Sequence, residues 1–174
     1  MIIKAGIEYA QVLSKIGAET FIDAHRESAP AREIDIYVKK TYDISAIRKE
    51  LSDPANIYHI IKHEDKIAGF SKMILNRNQP GATVQNISKM DQIYLLNSFQ
   101  GLRLGAQLLQ YNIDLSKSSN QDGMWLVVWI RNDKAITFYK KFGFNVISEA
   151  DYHLTDSHTN RSNIMLLEYA TKQL

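Results

Sequence analysis

Apolar residues recur at helical spacing from Glu8 to His25, where Val12, Ile16, Phe21 and Ile22 fall on one side of the chain. The same period continues over Ala31–Tyr42 and Ser45–Leu51, parted by Asp43 and stopped at Asp53-Pro54. The spacing then changes to two. Tyr58–Lys62 and Ala68–Leu75 predict an antiparallel hairpin around His63–Lys66, and Gln85–Leu96 predicts a longer strand. Ile2–Ala5 predicts a short strand at the start.

A second block of helical spacing follows. Leu104, Leu108, Tyr111 and Leu115 make one stripe, and Leu102, Ala106, Leu109 and Ile113 its neighbour, so this helix has a face broad enough to lie flat on a sheet. The run from Trp125 to Ile130 is apolar throughout and reads as a buried strand. Asn132 or Asp133 then caps a helix whose Ala135, Phe138, Tyr139 and Phe142 share a face, and Gly143 suits the left-handed position after its end. Phe144–Leu154 and Asn163–Tyr169 predict a closing antiparallel pair. The strand ending near Ile93, the helix after it and the Trp125 strand form a crossover unit, which makes those two strands parallel where they meet. The whole predicts one α/β (α+β) domain over residues 1–174, with a mixed, mostly antiparallel central sheet and flanking helices.

Composition narrows the chemistry. A chain of 174 residues, 45% of them apolar, suffices for one well-packed core. The formal net charge of +2 is spread along the chain without a basic run, so neither nucleic acid nor a membrane surface is an expected partner. Met1–Ile7 lacks the apolar core of a signal peptide, and no segment has the apolar length of a membrane span, which predicts a cytoplasmic protein. There is no cysteine. That removes disulfides, thiolate metal sites and a cysteinyl acyl-enzyme, and no metal site is expected.

The segment Phe99-Gln-Gly-Leu-Arg-Leu-Gly-Ala-Gln-Leu-Leu109 runs from the long strand through a glycine turn directly into a helix. The first N–H groups of a helix have no internal acceptor, and the positive end of its dipole faces the same point, so such a turn suits a phosphate. Gly101 and Gly105 do not fit the dinucleotide fingerprint or the P-loop. From Gln100 to Gly105 the segment instead resembles the Q/R-x-x-G-x-G/A signature of the GCN5-related N-acetyltransferases, with Arg103 in place of the middle glycine. Within the first helical turn Arg103 needs only helical dihedrals and its guanidinium can fork onto a phosphate; it is equally readable as a solvated helix residue. A second segment agrees in kind and order: Asn132, Ala135, Phe138, Tyr139, Lys141, Gly143 and Phe144 match the pattern N-x-x-A-x-x-F-Y-x-K-x-G-F that this family shows after its fifth strand.

The resemblance implies a fold in which the two parallel strands splay apart around the pantetheine arm of acetyl-coenzyme A. It implies that Tyr94 and Leu95 lie beside that arm, with the Leu95 backbone bonded to it, and that Gln100, Gly101, Leu102, Arg103, Leu104, Gly105 and Ala106 surround the pyrophosphate. Asn132, Ala135, Phe138, Tyr139 and Lys141 would flank the arm from the following helix. Tyr139 is the expected general acid for the departing thiolate, since a phenol near pKa 10 keeps its proton at neutral pH; the same tyrosine also reads as a core residue. Many relatives have a glutamate on the strand before the loop where this chain has Lys89, so the general base stays open between Asp91 and Tyr94 acting through water. Asp23, His25 and Glu27 form either an acceptor lip or a solvated helix end, and His25 and His153 read singly as structural histidines.

Ala18–Ile22, the helical pieces after it and Leu51–Pro54 are similar to the amino-terminal half of bacterial small-amine and polyamine acetyltransferases. The expected function is direct acetyl transfer to a primary amine of a small molecule such as a polyamine, in a ternary complex. A non-catalytic acyl-coenzyme A sensor and a protein amino-terminal acetyltransferase stay open as alternatives. The tail and final hairpin leave a sheet edge with which a second copy can pair, making a homodimer a candidate assembly.

Overall fold

The computed structural model describes residues 1–170; the end of the tail, 171–174, lies outside them, and with it that part of the expected pairing surface. The order is β1 (Ile2–Lys4), α1 (Ala10–His25), α2 (Ala31–Thr41), α3 (Ile44–Ser52), β2 (Asn56–His63), β3 (Lys66–Ile74), β4 (Ile87–Leu95), α4 (Leu104–Ser118), β5 (Gly123–Trp129), α5 (Asp133–Lys141), β6 (Asn145–Thr155) and β7 (His158–Glu168). The seven strands form one sheet in the order β1-β2-β3-β4-β5-β7-β6. Every neighbouring pair is antiparallel except β4 and β5.

Local chemistry explains most boundaries. Asp43 accepts from the N–H groups of Ser45 and Ala46 and so starts α3. Glu64 and Asp65, both at positive φ, make the two-residue turn between β2 and β3 that the alternation predicts. Gly143, at φ +92°, ends α5 as expected, and the Phe144 N–H returns to the Tyr139 carbonyl at 3.2 Å.

Helices α1 to α3 pack on one region of the sheet around Leu13, Phe21, Tyr42, Ile47 and Phe70. Helix α4 lies on the sheet through Leu108 and Leu109, but its buried face differs from the two expected stripes. Tyr111 is 40% exposed and Leu102 46% exposed, whereas Asn112 and Ser116 are fully buried. The sheet supplies partners for the donors of this polar pair: Asn112 Nδ2 donates to Ser71 Oγ at 2.9 Å, and Ser116 and Ser88 share a hydrogen bond of 2.7 Å, while Asn112 Oδ1 is left without a partner among the described residues. A hydrophobic period does not show such a seam. Strand β7 likewise begins at His158 rather than Asn163, because the polar stretch His158–Ser162 is held by its ladder to β6 and β5. No helix among the described residues is long and apolar enough to cross a membrane.

Candidate active site

Strands β4 and β5 pair at three positions only, Ile87 with Gly123, Ser88 with Met124 and Lys89 with Trp125, and then diverge. On its other edge β4 stays bonded to β3 as far as Leu95. The Leu96 N–H donates to Ala68 on that β3 side, so by alternation the N–H and C=O of Leu95 face the open side, where β5 no longer supplies partners. The divergence opens a cleft of about 900 Å³.

One wall of the cleft is the glycine turn. Gly101 has φ +83° and open space where a Cβ would stand, and a Cβ on Gly105 would reach 3.4 Å from the Leu95 side chain. The first bond of α4 runs from the Gln107 N–H to the Arg103 carbonyl, which leaves the N–H groups of Leu104, Gly105 and Ala106 without helical acceptors. Arg103 does not sit inside the first helical turn, where helical dihedrals would have sufficed. It caps α4 at φ +59° and ψ 13°, the left-handed conformation that a glycine would take without strain. Arg103 lines the cleft together with Lys134 and Lys141, and Lys134 Nζ donates to Gln100 Oε1 at 2.9 Å. Three cations and three orphan amides around open backbone fit a ligand with an anionic, phosphate-bearing end.

The strained cap gives a direct prediction. Arg103→Gly relieves the left-handed cost of about 1–2 kcal/mol and adds some chain entropy to the unfolded state, for a net gain of about 1 kcal/mol and a Tm rise of about 3 °C. Coenzyme A affinity, measured by calorimetry on the same variant, is expected to fall several-fold with the guanidinium. A lower Tm would show that the arginine is held there by contacts worth more than its strain.

The opposite wall is α5. Asn132 Oδ1 accepts from the Ala135 N–H at 3.1 Å, which commits that oxygen to capping and leaves its amide NH2 for a ligand. Ala135, Phe138, Tyr139 and Lys141 line the cleft, as do Tyr94, Leu95, Gln100, Gly101, Arg103, Leu104, Gly105 and Ala106. Leu102 alone of the expected residues stands outside it, on the exposed side of the turn. Burial pushes the Tyr139 phenol above its ordinary value of 10, with no neighbour opposing it, so it stays protonated throughout the neutral range.

Behind the divergence, toward α1 and α2, lies a smaller chamber of about 100 Å³. Phe21, Tyr37, Tyr94, Trp129 and Tyr152 supply its rings, and His25, Asp91, Gln92, Tyr94, Val127 and Trp129 border both this chamber and the main cleft. Asp91 is the extra residue of a bulge in β4, since Lys72 opposes Gln92 and Met73 opposes Met90. Its carboxylate meets Lys89 at 2.6 Å and Lys72 at 3.1 Å, and Lys72 also reaches Glu50 at 2.5 Å. Burial raises the Asp91 pKa, but the two lysines outweigh it and hold the carboxyl below its usual range. Lys89, the partner of Asp91, also stands 5.1 Å from the centre of the Trp125 ring.

His25 Nε2 lies 3.1 Å from the Tyr94 hydroxyl. Ser28 Oγ donates to the His25 carbonyl at 3.0 Å and is 3.4 Å from Nδ1; with the ring proton on Nδ1, Nε2 accepts from Tyr94. Burial pushes His25 down to about 4. The unfolded chain takes up this proton near pH 6.5 while the folded protein resists it, so stability is expected to fall by about 3 kcal/mol from pH 7 to pH 4 at this residue. Urea titrations of wild type and His25→Gln across that range check this: the variant is expected to show the shallower decline. Parallel declines would exclude a buried neutral His25.

Lys134, Gln92, Trp129, Tyr37 and Tyr152 were not marked by sequence. Lys134 had a signal, a cation in the first turn of α5 facing the glycine turn; the others acquire a role only from the packing of α2 and β6 across the divergence.

Comparison with known proteins agrees with this geometry. Over 158 residues the chain is 27% identical to an uncharacterized N-acetyltransferase in the pepI 3' region of Lactobacillus delbrueckii subsp. lactis, covering 87% of this chain and 91% of that protein. Its fold is similar to that of PaiA N-acetyltransferase from Thermoplasma acidophilum in complex with coenzyme A, with a TM-score of 0.77 at 20% identity over 97% of this chain and 98% of the other. It is also similar to YncA of Salmonella typhimurium with its cofactor acetyl-CoA, with a TM-score of 0.65 at 14% identity over 100% and 96% of the two chains. Residues 18–144 match the model of the acetyltransferase (GNAT) family, and the chain with its splayed strands and glycine turn belongs to that family.

Proposed function

We propose that this protein transfers the acetyl group of acetyl-coenzyme A directly to a primary amine of a small molecule, polyamines among them, within a ternary complex. The observation that carries the reading is the adjacency of two cavities: a cleft lined by the glycine turn and its cations and a ring-lined chamber share His25, Asp91, Gln92, Tyr94, Val127 and Trp129 where β4 and β5 part. The amides of Leu104, Gly105 and Ala106, with Arg103, Lys134 and Lys141, would hold the pyrophosphate, and the free backbone edge of Leu95 would hold the pantetheine amides. Acetyl-coenzyme A supplies an activated acyl group. The Tyr139 hydroxyl keeps its proton for the departing sulfur, and N–H groups on the open edge of β4 would stabilise the oxyanion. The absence of cysteine supports direct attack by the amine, with no thiol relay.

Thiol release from acetyl-coenzyme A, followed colorimetrically against polyamines, arylalkylamines, amino acids and short peptides, tests this reading. Acceptor-dependent release from a small amine is the expected result. Release only with peptides would replace it by amino-terminal acetylation of proteins; binding without release for every acceptor would replace it by an acyl-coenzyme A sensor.

A further inference from the structure

The chamber behind the divergence has a chemistry of its own. Phe21 stacks on His25 at 4.1 Å and on Tyr37 at 4.4 Å, and it meets Tyr94 edge-on at 6.4 Å. Tyr37 in turn shares a 3.3 Å hydrogen bond with Tyr152 of β6, which closes the ring of aromatic groups across two parts of the fold. Among the described residues lining this chamber Asp91 is the one carboxylate, and it is already claimed by Lys72 and Lys89. At the mouth of the main cleft Asp23 is similarly engaged, by Arg26 at 3.1 Å and by Asn97 Nδ2 at 2.7 Å.

We propose that this chamber selects an acceptor whose primary amine is carried on a compact, flat apolar body with no second charge, an arylalkylamine in chemical class. The proposal rests on the acetyltransferase reading above and narrows its acceptor. A second ammonium, as in a polyamine, would enter a space with Lys89 on its wall and no free carboxylate to receive it. A flat apolar body needs no counterion there and meets the rings of Tyr37, Trp129 and Tyr152, with Phe21 buttressing Tyr37 from behind.

The amine end has a matching place. Tyr94 borders both cavities and spends its proton on His25 Nε2, so its oxygen is left to accept an N–H from the acceptor. Gln92 borders both cavities as well, and its Nε2 donates to the Tyr42 hydroxyl at 3.4 Å. Transfer forms one C–N bond and breaks one C–S bond; the proton that nitrogen gives up balances the one sulfur takes. His25 is the positioning residue of this arrangement, because it fixes the direction of the Tyr94 hydroxyl.

Two measurements test the proposal. With saturating acetyl-coenzyme A, kcat/KM for 2-phenylethylamine is expected to exceed that for spermidine at least tenfold; equality or the reverse order overturns the proposal while leaving the transferase reading intact. Calorimetric binding of 2-phenylethylamine to the protein loaded with free coenzyme A, which permits no turnover, reads the chamber separately. Tyr152, 38% exposed and so tolerant of substitution, provides the variant. Tyr152→Leu is expected to weaken 2-phenylethylamine at least fivefold and spermidine hardly at all, and equal effects on both amines overturn the proposal. Tight, Tyr152-dependent binding of 2-phenylethylamine without thiol release from any amine supports the chamber assignment and sinks the transferase reading. His25→Gln, which still accepts from Tyr94, is expected to keep KM for 2-phenylethylamine within twofold, whereas His25→Leu raises it several-fold; the same KM in both variants removes the positioning role.

Discussion

Replacing Tyr139 with phenylalanine is expected to lower kcat about 100-fold, near the lower end of what a positioned general acid supplies. The substitution keeps the ring, which meets Phe138 at 5.3 Å and Phe144 at 5.8 Å, so α5 should retain its packing and the protein its Tm. What disappears is the hydroxyl of a residue that lines the cleft, whose proton burial alone makes harder to remove than in water. Coenzyme A affinity should change less than about twofold, which separates a transition-state role from simple binding. Because the phenol is raised above its ordinary value of 10, the alkaline fall in wild-type kcat from this group is expected only above pH 10. Steady-state rates with calorimetric affinities on both proteins decide the matter, and a kcat within threefold of wild type would leave Tyr139 as a wall residue.

The second large effect is on stability. Asp91→Asn is expected to destabilise the fold by about 3 kcal/mol, the cost of leaving partly buried ammonium groups short of a counterion, and to lower Tm by about 9 °C. Lys72 is only 10% exposed and would retain Glu50, while Lys89 would retain only the face of Trp125. The sign with pH follows from the direction of the Asp91 shift. Its folded value lies below the ordinary 3.8, so the contribution is complete above that pH and is lost as pH falls through the folded value. Urea unfolding at pH 7 and pH 3 should therefore show a large gap between wild type and variant at the first and a smaller one at the second. A gap under about 0.5 kcal/mol at pH 7 would mean that water replaces the carboxylate with little penalty.

Both predictions concern residues whose roles depend on where β4 and β5 part, and sequence shows that region unevenly. The glycine turn, the Asn132 cap and the stripe of Ala135, Phe138, Tyr139 and Phe142 are local features, set by the needs of a helix start and a helix face, and they were legible before any fold was known. The left-handed Arg103 was not, because an arginine there contradicts local preference and is tolerated only by the turn around it. The bulge at Asp91 was equally hidden. An extra residue leaves no mark on an alternating pattern until the partner strand is known, yet it brings Asp91 between Lys72 and Lys89.

The chain by itself thus determined the element types, their order and the glycine turn, since each depends on spacings of a few residues and on caps read directly from side-chain chemistry. Tertiary structure alone decided the opening between β4 and β5, the buried polar seam beneath α4 and the aromatic chamber. Phe21, Tyr37, Tyr94, Trp129 and Tyr152 come from five different elements, and their meeting depends on how those elements pack. Periodicity says which face of an element is apolar; it does not say which other face will meet it, and that meeting is what makes the chamber.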